Sequence, residues 1–232
     1  MDNFDPEIFE IKFTIADAAA KQYEKQGKNF TLHRVAEEVD LDVANIFEYF
    51  PNKKAILLFY YEAIIVRYLL MLQEIEGFED YTLAEKLSNF AYTSFDLFGE
   101  HEEFVRQTFR PLILCSYTTT EFEAKSRQLI KDFFTSDPRI SMSSSLLTND
   151  YLYSLLYKKY TALIRFWLKE ESEGKEVSME LTDKYTVFLQ EIMYNTTIDK
   201  GLELAKFLFT NNIFGRGFES IKKLFPEIEI RD

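Results

Sequence analysis

The sequence feature that most restricts the fold is the stretch from Thr31 to Lys54, where two short amphipathic segments meet at a tight joint. In the first segment the apolar residues recur at i, i+3, i+4 and i+7, which puts them on one face of a helix: Leu32, Val35, Ala36 and Val39. Thr31 stands just before this segment as an N-cap. The pattern predicts a helix of about two turns.

The second segment carries its own start and stop signals. Asp42 can accept hydrogen bonds from the first free N–H groups of a helix over Val43–Phe50. Pro51 ends that helix, because proline lacks the N–H that a helix needs. Asn52 can cap the long apolar segment that follows. Two short helices joined this tightly predict a helix-turn-helix.

The residues in and around this motif resemble the N-terminal domain of the TetR family of bacterial transcriptional regulators. The matching positions form an ordered set without a gap, over roughly the first quarter of the chain: Ile15, Ala16, Ala18, Ala19, Tyr23, Gly27, Phe30, Thr31, Val35, Ala36, Leu41, Ile46, Phe47, Tyr49, Phe50, Lys53 and Ile56.

The resemblance implies an all-α fold with two domains. Residues 1–54 would form a three-helix helix-turn-helix DNA-binding domain, joined by a long helix to a ligand-binding and dimerisation domain at 55–232. The implied function is a ligand-responsive transcriptional regulator. It would act as a repressor that binds a palindromic operator as a homodimer and is released by a small apolar or amphipathic molecule.

The resemblance also implies the DNA-contacting residues. Four positions would face base edges: Val43, Ala44, Asn45 and Glu48. Phe47 and Tyr49 would lie near the DNA backbone, Lys53 would contact phosphate, and Thr31, His33 and Arg34 would touch phosphate or a base. Lys54, next to Lys53, is a further candidate DNA contact. Asn45 can read adenine through two hydrogen bonds. This chain departs from the family where Asp40 replaces a frequent glycine, Phe47 a frequent tyrosine, and Glu48 adds a negative charge.

The charge balance argues against tight DNA binding. The chain has a net charge of -12, and residues 1–54 hold seven Lys and Arg against eleven Asp and Glu, a net charge of -4. Phosphate neutralisation normally supplies much of the affinity for DNA. Basic residues do cluster around the motif: Lys28, His33, Arg34, Lys53 and Lys54. We therefore expect modest, salt-dependent affinity. A helical binding or interaction module that has kept the fold and lost DNA remains the alternative.

Beyond the motif, seven Gly and five Pro in 232 residues favour long helices. Apolar periodicity predicts a first helix from Asp5 to Gly27 and a fourth from Asn52 to about Gly77, the latter apolar nearly all round and so buried between two layers. Later helices are expected at 82–98, 101–116 with a kink at Pro111, 120–135, 150–171, 180–194, 199–210 and 218–224, with a flexible loop at 136–149.

Aromatic residues make up 16% of the chain, which indicates an aromatic core and dimer interface or, in part, an apolar ligand cavity. The candidate cavity residues are Tyr68, Phe95, Phe98, Phe109, Arg110, Tyr160 and Trp167, with Arg106 or Arg110 as partner for an acidic group. The resemblance implies that the two late helices pair with their copies in a second subunit. Their apolar faces are Leu152, Leu155, Leu156, Tyr160, Leu163 and Trp167, and Tyr185, Phe188, Leu189 and Ile192. Packing within one chain would give the same pattern.

No feature of the sequence predicts catalysis. It shows no nucleophile–base pair, phosphate loop or metal-ligand spacing, so we expect no enzyme, cofactor or metal. The single cysteine, Cys115, cannot form an intramolecular disulfide. Because it follows the apolar residues Leu112–Leu114, it is predicted to be buried. Without a signal peptide or a long uninterrupted apolar run, the protein is expected to be cytoplasmic, with no membrane partner.

Overall fold

The computed structural model describes residues 4–141, 144, 148–196 and 200. These described residues form α-helices and short helical turns, with no strand. The α-helices are α1 Pro6–Gln26, α2 Leu32–Glu38, α3 Val43–Tyr49, α4 Lys53–Leu72, α5 Leu83–Gly99, α6 Glu102–Phe109, α7 Glu121–Thr135, α8 Asp150–Trp167 and α9 Glu176–Tyr194. The predicted all-α class is confirmed. The helices predicted at 199–210 and 218–224 lie outside the described residues, apart from Lys200.

The capping residues explain where the first helices begin. Asp5 Oδ1 accepts hydrogen bonds from the N–H groups of Glu7 and Ile8 at 3.0 and 3.2 Å, and Pro6 occupies the first turn, where its missing N–H costs nothing. Asn52 caps α4 in the same way, with Oδ1 2.9 Å from the Ala55 nitrogen. Both starts agree with the sequence predictions.

The joint between α2 and α3 is a tight turn with one left-handed residue. Asp40 has φ +54°, a conformation that glycine adopts freely and that Asp and Asn tolerate better than most residues. The Leu41 N–H donates to the Ala36 carbonyl across the turn, at 2.9 Å. The chain therefore uses Asp40 for the geometry that the frequent glycine of the family would give.

The three N-terminal helices, which we call the head, rest on α4. α1 lies along α4, and Phe9 of α1 meets Phe59 of α4 with ring centroids 6.1 Å apart. Lys12 lies over the Phe59 ring at 4.5 Å. A three-helix unit of this size buries too little surface to be stable alone, and its dependence on α4 follows from that. The predicted division at residues 54 and 55 remains a prediction.

α4 is the central helix of the molecule. Its buried residues lie on several faces, as predicted: Ile56, Leu57, Phe59, Tyr60, Tyr61, Ala63, Ile64, Ile65, Val66 and Tyr68. By length and composition alone α4 would suit a membrane span, but more than half of its most apolar stretch is buried inside the protein, as in the core helix of a soluble fold. It is shorter than predicted, since it ends at Leu72.

The remaining helices, α5 to α9, form with α4 a helical body. α5 packs against α4, α7, α8 and most extensively α9, while α7 packs against α8. The core of this body is aromatic: the Tyr61 ring lies 5.8 to 6.1 Å from the rings of four phenylalanines, Phe98, Phe104, Phe109 and Phe122.

Four details differ from the sequence predictions or refine them. The kink at Pro111 is a π-helical turn over Arg110–Leu114, closed by a hydrogen bond from Cys115 N–H to the Arg110 carbonyl. Cys115 itself is exposed, so its predicted burial is wrong: the π turn carries it out of the apolar layer. α9 begins at Glu176 rather than Glu180, because a turn at Glu173–Lys175 reverses the chain earlier than its polar composition suggested.

The fourth detail is the segment expected to be flexible at 136–149. Its described beginning is fixed by a buried carboxylate: Asp137 accepts from Arg139 Nε at 2.8 Å and from the Tyr194 hydroxyl at the end of α9. Arg139 also donates to the carbonyls of Asp80 and Tyr81. These bonds bind residues 137–139 to two other elements, so the prediction was wrong for this part of the segment.

Candidate nucleic-acid interface and effector site

The outward face of α3 is the candidate nucleic-acid interface. Ile46 is fully buried and anchors the helix, whereas Ala44, Phe47 and Glu48 are exposed. Phe47 is the large apolar side chain among them, and its ring is 53% exposed. Val43, Asn45 and Tyr49 are half-buried at the edges of the same face. The helix therefore presents the residues that the sequence assigned to it.

Asn45 already has a structural role. Its Oδ1 accepts a hydrogen bond from the Asp42 N–H at 3.2 Å, one half of a capping box at the start of α3. Bidentate adenine reading needs both Oδ1 and Nδ2 of the amide. Asn45 would have to share or release the Asp42 N–H to read a base in that way.

Some of the candidate phosphate contacts already bond to other groups of the protein, and others are exposed. The Lys53 ammonium donates to the Phe30 carbonyl and lies over the Phe30 ring at 4.8 Å. Lys54 is exposed beside it. On α2, Thr31 caps the helix through the Arg34 N–H, and His33 faces Glu37 one turn on at 3.3 Å. Thr31, His33 and Arg34 are all exposed.

Part of the acidity of the head is neutralised internally. Glu38 of α2 pairs with Lys21 of α1 and accepts from Gln22. The hydrogen bond from Lys21 is the main reason why the pKa of Glu38 lies below its usual value. This pair ties α2 to α1, and the other exposed carboxylates of the motif are Glu37, Asp40, Asp42 and Glu48.

The predicted cavity residues fall into three places. Tyr68 and Tyr160 both face Phe90, with ring centroids 5.0 and 4.5 Å from it. Phe98 and Phe109 belong to the aromatic core around Tyr61. Phe95 and Trp167 stack in parallel, 5.5 Å apart, as a separate pair. Arg110 is exposed on the π turn and does not face these aromatics.

The polar atoms of the buried tyrosines are satisfied within the body. The Tyr160 hydroxyl donates to Ser94 Oγ at 2.7 Å, Tyr68 to Asn89 Oδ1 at 3.0 Å, and the Tyr61 and Thr108 hydroxyls are 2.6 Å apart. Burial raises the pKa of all three phenols far above the ordinary range, so they remain neutral. They can act as neutral hydrogen-bond donors.

The cavity that adjoins Tyr160 and Phe90 is small in this conformation. It has a volume of about 30 Å³, about the space of one water molecule, and lies between α5, α8 and α9. Pockets for drug-sized ligands have volumes of about 300–1,000 Å³. A ligand of that size would enter this region only if the aromatic layer opened.

Arg106 is held at the surface end of α6. It pairs with Glu102 and donates to the Leu168 carbonyl. Among the described residues no group of His, Cys, Asp and Glu has the arrangement of a metal site.

α8 and α9 carry two exposed apolar stripes, which the sequence predictions only partly found. The stripe on α8 consists of the exposed apolar residues Tyr151, Leu155, Ala162 and Phe166, and the stripe on α9 of Val177, Leu181, Phe188 and Ile192; Val187 of α9 is exposed outside its stripe. Both sets share the spacing i, i+4, i+11, i+15, which keeps them on one face of each helix. Large exposed apolar patches usually mark an interaction surface.

The predicted dimer faces were partly wrong for a simple reason. Leu156, Tyr160 and Trp167 of α8, and Leu189 of α9, turn into the chain's own core, while Leu155, Phe188 and Ile192 point outward. A helix that is apolar on two sides has one face for its own core and one for another surface. Periodicity alone does not separate them.

Comparison with known proteins found one family match and several similar solved structures. Residues 86–208, just over half of the chain, match the model of the tetracyclin repressor-like C-terminal domain. Among solved structures, the TetR transcriptional regulator from Nitrosomonas europaea ATCC 19718 is similar, with 16% identity, a TM-score of 0.58, and coverage of 79% of this chain and 98% of that chain. This likeness shows a common fold.

A putative TetR family transcription regulator from Shewanella sp. PV-4 aligns with 14% identity and a TM-score of 0.49, over 77% of this chain and 95% of that chain. No curated protein matches the sequence. The family match begins within α5 and covers the later part of the chain, whereas the resemblance noted in the sequence covers the head.

Proposed function

The chain belongs to the TetR family of transcriptional regulators, and on that premise we propose that it is a repressor that binds a palindromic operator as a homodimer and leaves it when a small apolar or amphipathic molecule binds the body. The observation that carries this proposal is the exposed face of α3. A helix anchored by one buried residue and presenting Ala44, Phe47 and Glu48 outward has the shape needed to enter a major groove.

Dimerisation follows from the geometry of DNA reading. One short helix contacts too few bases for a specific site, and a two-fold dimer reads two half-sites. The stripes on α8 and α9 supply the surface for it, because two copies of these helices would bury both stripes in a four-helix bundle. The resulting operator has half-sites one or more helical turns apart.

The effector would act through α4. This helix packs against the head through Phe59 and supplies Tyr61 and Tyr68 to the aromatic core of the body. A molecule that opens the layer next to Tyr68 and Tyr160 displaces α4, and with it the head. The affinity for DNA then falls by the ligand's preference for the opened state.

A second candidate function is a helical binding module that no longer binds DNA. Two observations favour it: the head is acidic, and Lys53, the implied phosphate contact, is committed to Phe30. On this alternative the exposed Phe47 face would contact a protein instead of a duplex.

Binding to the promoter DNA of the chain's own gene, measured by fluorescence anisotropy at low and at physiological salt, tests the proposal. We expect sequence-dependent binding that is stronger at low salt. Ala44→Glu should abolish it, because a carboxylate on the α3 face repels the duplex. Ala124→Glu, at an exposed position on α7, is the matched control and should bind normally. Absence of sequence-dependent binding at low salt would refute the repressor.

A further inference from the structure

A histidine joins the head to the body at the start of α6. His101 precedes the first residue of α6 and is only 9% exposed. Its Nε2 lies 2.9 Å from Asp17 Oδ1, and its Nδ1 lies 3.1 Å from Glu24 Oε2. Asp17 and Glu24 are both on α1, two turns apart. The imidazole thus spans two carboxylates of the head.

Hydrogen-bond counting fixes the protonation state that this geometry requires. An ionised carboxylate only accepts, so each ring nitrogen needs its own proton to bond to its partner. A neutral imidazole carries one N–H, and its other nitrogen would turn a lone pair toward a carboxylate oxygen. Only the imidazolium satisfies both contacts at these distances.

Glu24 links the same site to the backbone of α6. Its Oε1 accepts from the Phe104 N–H at 3.3 Å, so a side chain from α1 completes the first turn of α6. Acidic groups are favourable there because helix N-termini carry unpaired N–H groups and partial positive charge. The position of α1 is in this way coupled to the start of α6.

The charged and titratable groups around the imidazole come from α1, from α4 and from Glu100, which caps the end of α5. α1 supplies Asp17, Glu24 and Lys21, which acts on Asp17. α4 supplies Tyr60, whose ring lies edge-on 5.9 Å from the imidazole, and Arg67, which also acts on Asp17 and pairs with Glu100 beside His101. No second cation bonds to Glu24 in the part of the chain that the structure describes.

We propose that His101 is a proton-dependent lock between head and body. As an imidazolium it holds Asp17 and Glu24 of α1 against the first turn of α6. Loss of one proton breaks one of the two hydrogen bonds, leaves a carboxylate facing a lone pair, and loosens α1. The lock is a property of the chain itself, and only its effect on operator affinity depends on the proposed function.

The direction of the pH effect follows from the contacts. The hydrogen bond that His101 donates to Asp17 is the main cause that raises the pKa of His101 above its ordinary value, with burial opposing it. The stabilisation is complete below the unfolded value of about 6.5 and is lost as pH rises through the raised pKa. The pKa of Asp17 is lowered, chiefly by His101, so the lock also opens in strong acid.

The chain offers a direct test, because it contains two histidines and the other, His33, is exposed. Nitrogen-detected NMR of the full chain, labelled with ¹⁵N in the histidine rings, should show both ring nitrogens of His101 protonated together and a midpoint above the ordinary histidine value of about 6.5. Each unit of difference corresponds to about a tenfold change in the opening equilibrium. A midpoint at or below the ordinary value would overturn the proposal.

Hydrogen exchange tests whether the lock moves the head. Protection factors of the amides of residues 17–24 and of the first turn of α6 should fall as pH passes the His101 midpoint, while those of α8 do not. Glu24→Gln should lower that midpoint and remove the pH dependence, and His33→Gln should change neither. Asp17→Asn, which removes the charge facing the other ring nitrogen, should also lower the midpoint, so the test does not depend on one variant. If the protection factors of α1 do not change as His101 titrates, His101 forms an ordinary ion pair with α1 and the proposal is refuted.

Discussion

At the scale of single residues, Asp40 shows how a departure from the family pattern is accommodated. With φ at +54°, its backbone lies where residues that carry a side chain are strained by about 1–2 kcal/mol, Asp and Asn less than the others. Asp40→Gly should therefore raise the free energy of unfolding by up to about 1 kcal/mol, and Asp40→Ala should lower it by a similar amount. Urea denaturation measures both changes.

Asp40→Asn separates conformation from charge, because asparagine tolerates the same backbone without the negative charge. We expect it to match the native stability and to bind DNA more tightly at low salt. If Ala is as stable as Gly at position 40, backbone strain is not what sets the stability of this turn.

Asn45 has two roles that one pair of variants separates. Asn45→Ala removes both the bond to the Asp42 N–H and the base-reading amide, so it should destabilise α3 by about 0.5–2 kcal/mol and relax the preference at one base position. Asn45→Asp keeps an acceptor for Asp42 and loses the donor that adenine N7 needs. Its stability should stay near native while the base preference disappears.

A binding selection on operators randomised at each position measures the preference, and thermal melting measures the stability. Equal losses of Asn45→Ala on all DNA sequences would contradict base reading and leave Asn45 with its capping role alone.

At the scale of helices, the stripes on α8 and α9 give the sharpest test of dimerisation. Phe188 is 63% exposed at the centre of the α9 stripe, so Phe188→Asp should place a charge inside the dimer contact and dissociate it without unfolding the chain. Val187 is 50% exposed on the same helix but about 100° round from Phe188, so Val187→Asp is the matched control.

Sedimentation velocity at micromolar concentration reads the outcome. We expect Phe188→Asp to be a monomer with native helicity and Val187→Asp to remain a dimer. If both variants behave alike, α9 does not form the contact through the predicted face.

The sequence predicted the helices of the head well because their signals are local. Asp5, Thr31 and Asn52 act as caps within three residues of the groups they satisfy, and these boundaries were confirmed. Which side of α8 faces the core depends on where α5 and α7 lie. No local pattern contains that information, so Leu155 and Leu156 were not separated.

The candidate site was predictable only as a set of residue types. The exposure of Ala44 and Phe47 was implied by the family resemblance, which puts them at the DNA, and not by the apolar period of the helix, which puts Phe47 on the side of Ile46. The hydrogen bond from Lys53 to the Phe30 carbonyl was not predicted, because the two residues are 23 positions apart and meet only once α3 has turned the chain. The bridge from His101 to α1 spans still more of the chain and was missed for the same reason.

At the scale of the whole molecule, α4 connects the two ends of the proposed mechanism. It supplies rings to the head and to the body, and inside the body the cavity beside Tyr160 has a volume of only about 30 Å³. Well-packed interiors transmit displacement and do not absorb it. A closed body of this kind is suited to hold the head in one position until a ligand or a change in protonation disturbs it.

The net charge of -12 makes the salt dependence of DNA binding the most informative property of the whole protein. We assign three phosphate contacts to each head, Arg34, Lys53 and Lys54, hence six to a dimer. Counterion release then gives a slope of log K against log salt of about -5. The remaining acidic surface lowers the affinity at every salt concentration, but it does not contribute released counterions.

Lys54→Ala should reduce the magnitude of this slope by about 2 in the dimer, one for each head, and weaken binding similarly for all sequences. Lys53→Ala should change the slope less than Lys54→Ala does if the Lys53 ammonium stays on the Phe30 carbonyl in the complex. If the ammonium turns to the phosphate, the two variants should change the slope equally. Anisotropy titrations between about 50 and 200 mM salt measure both. A slope near zero for the native protein would mean that the exposed face of α3 does not meet a duplex, and would favour the binding module that has lost DNA.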